Sequence, residues 1–277
     1  KSSVNRIVNG TGSFEEKEDE LQKLAFYDKL LKEVYPGLRT AKTEILTVKP
    51  KKSNAEIAVL SKQVVNGEAE MDTLSFAELM FSATLTPSLD EKAAIYKAAS
   101  KSGNWQAHNN LAAVYLDQAS KADGSKKTQL VQDAITQLEI AANKNSSAIV
   151  SANMASAYIM QGENAKAMDA ISTASGASPS NKTASNLSGM KGSLQVMDAD
   201  YDGARASFAN SAKSEVVTFD KGLNELLSGN NDAAKSTLGE VANSETLGAE
   251  ANYLIAVASA RNNNASDVIS SLKAAIS

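Results

Sequence analysis

Cysteine is absent from the 277 residues, histidine and tryptophan occur once each, proline four times, and aromatic residues make up 5%. Without cysteine there are no disulfides and no thiolate metal ligands. That absence fits an extracytoplasmic protein that avoids stray oxidation. A single histidine, His108, excludes a histidine-cluster metal site within one chain. Its place three residues before Leu111 on a predicted helix gives it a packing or groove-lining role. No wholly apolar run is longer than Leu111 to Leu116, far short of the ~20 residues a membrane helix needs, so no direct membrane insertion by this segment is expected. Net charge is −4, from 28 basic and 32 acidic residues, which disfavours a phosphate backbone as partner. The one local basic run, Lys49-Pro50-Lys51-Lys52, reads as a solvated loop between two elements.

Apolar residues make up 43% of the chain, and alanine is prominent in the periodic segments, which favours closely stacked helices over a sheet-rich core. Ser13-Phe14-Glu15-Glu16 reads as a capping box opening a helix to about Tyr35, with Leu21, Leu24, Ala25, Leu31 and Val34 on its apolar face and Pro36-Gly37 ending it. Thr40 to Val48 alternates in the manner of a strand. The Ser-x-x-Glu start returns at Ser53/Glu56, Ser75/Glu78 and Ser88/Glu91. Residues 1–52 are therefore expected to form a helix-plus-strand segment, and residues 53–277 an array of helix pairs. The first residue is Lys1 rather than methionine, so either a signal segment has been removed or the chain is a fragment of a larger protein; the fragment is expected, with 1–52 the remainder of a preceding domain.

In the stretch Val150 to Ser178, Met154 and Tyr158 supply bulk, Ala155 is small where two helices cross, and Gln161-Gly162-Glu163-Asn164 makes a turn. Ala167, Ile171 and Ala174 face back, and Pro179 closes the unit. Similar pairs are read at Trp105 to Ala141 and at Glu250 to Ser277, the last capping the array. Between Tyr115 and Ala134 a polar insertion, Ser120 to Lys127, is expected to lengthen the turn as a loop. Lys191-Gly192 to Phe208 matches Lys221-Gly222 to Leu238, with lysine where a large apolar residue is usual, so shorter or differently packed first helices are expected there.

This pattern resembles the tetratricopeptide repeat, a helix–turn–helix unit of 34 residues, over roughly Ser75 to Ser277. The resemblance implies an all-α fold, a right-handed superhelical solenoid of helix pairs. A narrower likeness, carried by Val34-Tyr35-Pro36-Gly37-Leu38-Arg39, Asn54-Ala55-Glu56-Ile57, Ala83-Thr84-Leu85-Thr86 and Asn104-Trp105-Gln106-Ala107-His108-Asn109-Asn110-Leu111, is to repeat-containing, OmpA-associated cell-envelope proteins of the Bacteroidota. It implies a periplasmic or outer-membrane location and no catalytic residues.

Asp198-Ala199-Asp200-Tyr201-Asp202-Gly203 reproduces half of a calcium loop, but the closing glutamate falls on Ala209, and a repeat turn explains the same residues. Nucleophile-elbow, phosphate-loop and dinucleotide motifs are missing. An enzyme is not expected, nor a cofactor or bound metal. In a repeat array the first helices line a concave face on which an extended peptide or partner helix can lie. The residues expected there are Gln106, Asn109, Asn110 and Ala113, then Ala152, Asn153 and Ser156, with Asn110 and Asn153 alternatively bridging helices. Lysines and arginines of a carboxylate clamp are missing from these helices. The expected function is a non-catalytic interaction scaffold of the bacterial envelope, holding a protein or peptide partner that is itself an envelope component. The alternative is a passive spacer between envelope or peptidoglycan-binding domains.

Overall fold

A computed structural model describes residues 2–38 and 51–276. The chain divides into two compact units, Lys1–Lys51 and Lys52–Ser277.

The first unit holds α1 (Ser2–Val8), α2 (Phe14–Gln22), α3 (Tyr27–Lys29), a π-helical turn (Leu30–Val34) and α4 (Tyr35–Leu38). The Ser13/Glu16 capping box opens α2 as expected. The single helix to Tyr35 does not form, because the chain turns after Gln22. That turn lets the hydroxyls of Tyr27 and Tyr35 both donate to Glu18 while the two rings meet edge-to-face at 6.2 Å. Pro36 does not end the helix but sits in α4 behind the π turn, where Tyr35 N–H donates to Leu30 O and the proline nitrogen has no proton to place. The predicted strand at 40–48 lies outside the described residues. Among the described residues there is no strand, so the helix-plus-strand reading of this segment is not borne out.

The second unit is helical throughout its described length. It comprises α5 (Asn54–Asn66), α6 (Phe76–Ser82), α7 (Leu89–Ser100), α8 (Trp105–Ala119), α9 (Gly124–Lys144), α10 (Ala148–Gln161) and α11 (Asn164–Gly176). There follow α12 (Asn181–Met197), α13 (Tyr201–Phe208), α14 (Glu215–Leu227), α15 (Asn231–Gly239), α16 (Gly248–Arg261) and α17 (Ala265–Ala275), with short 3-10 turns at Met71–Thr73 and Ala83–Leu85. The starts of α5 and α6 are complete capping boxes. At α7 the box is half made: Ser88 Oγ accepts from Glu91 N–H, but Thr86 Oγ1 has taken the Ser88 N–H and Glu91 pairs with Lys62 at 3.3 Å.

Backbone and side-chain hydrogen bonds from Ser53 and Ser75 hold the carboxyls of Glu56 and Glu78 below the ordinary glutamate range. A carboxyl depressed in the folded state stabilises fully above its unfolded pKa, and that contribution is lost as pH falls through the folded value. Ser75→Ala is expected to cost about 1 kcal/mol, read from urea denaturation near neutral pH. The difference from wild type should shrink once the pH drops below the depressed Glu78 value.

From α8 onward each helix packs on the next, so the core is divided into clusters. One is shared by α8, α9 and α10 around Leu138 and Val150, another by α10, α11 and α12 around Ile171 and Leu194, and a third by α14, α15 and α16 around Leu226 and Leu238. First helices also touch first helices, α8 with α10, α10 with α12, α12 with α14 and α14 with α16, whereas no second helix makes a comparable contact with another second helix. The row of first helices is therefore the tighter, inner side of this unit.

Small buried residues mark the crossing within each pair: Ala112, Ala155, Gly192, Gly222 and Ala256. A methyl on Gly192 would stand 2.5 Å from the Phe208 ring, and one on Gly222 would stand 2.6 Å from Leu238 Cγ. Lys191 and Lys221 point to solvent. In these two pairs the first helices are not shortened, at 17 and 13 residues; the second helices are, at 8 and 9 against 13 in α11. The insertion after α8 is a loop only over residues 120–123. Its surplus extends α9 to 21 residues, because Lys126, Lys127 and Gln129 are good helix formers and Gln129 Nε2 bonds Asp133 Oδ1 one turn on, at 2.8 Å. In the last pair Ile269, Leu272 and Ile276 stay exposed and line, with Tyr253 of α16, an open cavity of about 700 Å³.

Candidate partner-binding surface

Residues spaced i, i+4, i+7 and i+11 share one face of a helix. On each first helix one such stripe lies beside the buried crossing face: Gln106, Asn110, Ala113 and Asp117 on α8; Ile149, Asn153, Ser156 and Met160 on α10; Asn186, Met190, Ser193 and Met197 on α12. The series continues with Val216, Asp220, Leu223 and Leu227 on α14, and Glu250, Leu254, Val257 and Arg261 on α16. Side-chain bonds show that these stripes adjoin. Asn153 Nδ2 donates to Asn109 Oδ1 at 2.9 Å, Ser156 Oγ approaches Met190 Sδ at 3.7 Å, and the Ser193 hydroxyl donates to Asp220.

Five large apolar side chains between Trp105 and Arg261 are strongly exposed: Ile149 (41%), Met197 (66%), Val216 (58%), Leu227 (42%) and Tyr253 (56%). All five stand on first helices. Four belong to the stripes, and Tyr253 occupies the position next to the stripe that Asn109 holds in α8 and Ala152 in α10. No second helix in this span carries one. The inner row is thus polar at α8, methionine-containing at α10 and α12, and apolar at α14.

The residues expected to line a groove divide accordingly. Gln106 is exposed, and Ala113 and Ser156 are partly so, which leaves them available to a partner. Ala152 is buried. Asn109 is only 5% exposed; its amide donates to Asn110 Oδ1 at 3.2 Å and its carbonyl oxygen accepts from Asn153. Asn110 also bonds Tyr96 of α7, whose phenol is raised above its usual range mainly by burial, with Asn110 opposing. The asparagines form a ladder between helices, and it starts at Asn109, not only at the Asn110 and Asn153 foreseen as bridges. Truncating Asn109 to alanine strands the Asn153 amide and is expected to cost about 1–2 kcal/mol in chemical denaturation. The stripes of α12, α14 and α16 were missed by sequence reasoning. Their signal was the i, i+4, i+7, i+11 recurrence of Met190, Met197, Val216, Leu223 and Leu227.

His108 Nδ1 lies 2.8 Å from Gln137 Oε1 of α9 and so belongs to the packing between α8 and α9. In the half calcium loop, Asp200 Oδ1 accepts from Gly203 N–H at 3.0 Å and caps α13, while Gln195 Nε2 donates to the other oxygen at 2.8 Å. Among the described residues no three histidine, cysteine or acidic side chains gather as metal ligands do, and no helix is long and apolar enough to cross a membrane.

No protein-family model and no curated protein sequence matches the chain. Solved structures do. A tetratricopeptide repeat protein from Parabacteroides merdae superposes with a TM-score of 0.51 at 16% identity, over 72% of this chain and 77% of that one. The APC/C hetero-tetramer Cut9-Hcn1 superposes with a TM-score of 0.61 at 12% identity, over 81% of this chain and 43% of that one. At such identities the likeness concerns the fold: the helix pairs form a tetratricopeptide-like repeat array. Neither structure bears on the narrower likeness to OmpA-associated envelope proteins.

Proposed function

We propose that the chain is a non-catalytic scaffold that holds a peptide or helical segment of a protein partner along the inner row of first helices. The observation that carries this reading is the placement of exposed apolar side chains. Between α8 and α16 they occur on that row and not on the second helices. Rigid stacked helices make the row a preformed surface, which lowers the ordering cost of binding. Its methionines suit partners of varied shape.

Selection of a random peptide library against the full chain tests the reading. Peptides sharing apolar anchors should be enriched, and they should protect Met197 and Leu227 from surface labelling. A library that yields no binder would favour the passive spacer. The partner's nature as an envelope component and the periplasmic or outer-membrane location belong to the same proposal. They are supported by the lack of cysteine and by the sequence likeness to envelope proteins. Fractionation of cells producing the tagged protein should place it with envelope markers; recovery among cytoplasmic markers overturns that location without touching the groove.

A further inference from the structure

We propose that Asp220 is the recognition point for a basic side chain of the partner, so that the inner row takes a segment carrying one lysine or arginine between apolar residues. The inference rests on the groove reading above and names the chemistry of its occupant.

Asp220 is the charged member of an otherwise apolar stripe, between Val216 and Leu223 on α14, with Met190 and Met197 on the preceding first helix and Leu254 and Val257 on the following one. Its neighbours in the repeat register are Met190 and Leu254, so the fold itself has no need of an acid at this position. Burial pushes the carboxyl above the usual aspartate range, opposed only by the hydrogen bond from the Ser193 hydroxyl. Some other carboxylates of this unit are paired with a cation, as Asp267 is with Lys235 at 2.6 Å, Glu240 with Lys213 at 2.7 Å, Asp202 with Arg205 at 2.7 Å and Glu78 with Lys52 at 3.2 Å. Among the described residues none lies within ion-pair distance of Asp220. A desolvated carboxylate without a countercharge destabilises the chain that carries it, and a ligand cation would remove that penalty.

Charge along the row points the same way. Asp117 and Glu250 are exposed near its two ends, and the stripe's one cation, Arg261, donates Nη1 to the Leu226 carbonyl at 2.6 Å. An acidic segment meets net repulsion there, whereas a basic side chain meets Asp220 inside an apolar frame that strengthens the pairing. A lone carboxylate with one hydroxyl is too few ligands for a metal ion.

The test uses the full chain and the peptide library, with Asp220→Asn, which keeps the shape and an acceptor for Ser193, beside wild type. Peptides selected on wild type should share one lysine or arginine flanked by apolar residues. Replacing that residue with norleucine should weaken binding about ten- to a hundredfold on wild type, as loss of a charge-assisted hydrogen bond does, and less than about threefold on Asp220→Asn. The variant's thermal midpoint should be equal to wild type or higher. Selected peptides with no basic position, or with one whose replacement costs the same on both proteins, overturn this inference and leave the groove reading intact. A variant that melts several degrees lower assigns Asp220 to the fold and overturns it as well. A library that selects nothing overturns the groove reading and this inference together.

Discussion

Leu238→Ala is expected to cost about 2–5 kcal/mol of stability. Leu238 is fully buried at the centre of the cluster shared by α14, α15 and α16, where it packs with Leu226, Val241 and Ala251. Its neighbour across the pair is Gly222, whose missing side chain is the reason the two helices approach so closely. A Cβ there would stand 2.6 Å from Leu238 Cγ and 3.3 Å from the Leu238 backbone nitrogen. Gly222→Val should therefore destabilise by about 1–3 kcal/mol through overpacking, against the usual gain from replacing a glycine inside a helix. The double variant distinguishes this account from two independent lesions. Leu238→Ala vacates the space that a valine needs, so the combined cost should fall short of the sum by roughly 1–2 kcal/mol. Urea denaturation of the four proteins measures the cycle, and strict additivity would refute the close crossing.

The second large effect concerns binding. Val216 and Leu227 stand at the two ends of the α14 stripe, 58% and 42% exposed, so a charge at either position displaces no core contact. Val216→Glu/Leu227→Glu should leave stability within about 0.5 kcal/mol per site. For peptides selected on the wild-type row, affinity should fall about a hundredfold or more. Buried apolar anchors of an interface each contribute upwards of about 1.4 kcal/mol, which is tenfold apiece, and the added carboxylates would have to be desolvated beneath the ligand. Isothermal titration of the best selected peptide checks the effect. Undiminished affinity on a folded variant would move the binding surface elsewhere. The outward surface of α9, α11, α13 and α15 supplies the control: Lys166→Glu on α11, where Lys166 is exposed beside Glu163, should bind as wild type does.

Helix starts were legible because a capping box is a local device: serine and glutamate three residues apart satisfy backbone donors of their own turn. Ser13, Ser53 and Ser75 behave as written, and Ser88 fails in part because a hydroxyl two residues away, Thr86, competes for its N–H. The break after Gln22 carries no glycine or proline, and the bonds that hold the turned chain, from two tyrosines to Glu18, span nine and seventeen positions. The insertion after α8 has a polar composition that fits an exposed loop and an exposed helix equally, and one-residue-at-a-time propensity does not separate them.

Of the site, the positions on α8 and α10 lie on the first helices as read, with Gln106, Ala113 and Ser156 left accessible but Asn109 and Ala152 buried. Asn109 is a good hydrogen-bonding residue whether it faces a ligand or Asn153. Only the approach of α8 to α10 decides the matter, in favour of Asn153. The sequence by itself determined the helical class of the repeat array, most of its helix starts and the small Ala155 where one pair crosses. All of these follow from interactions within a turn or from periodicity along one helix. Tertiary structure alone decided which first-helix side chains are spent between neighbours and which remain exposed, as well as the isolation of Asp220 from any cation. Those depend on distances between residues some thirty or more positions apart, which no local pattern specifies.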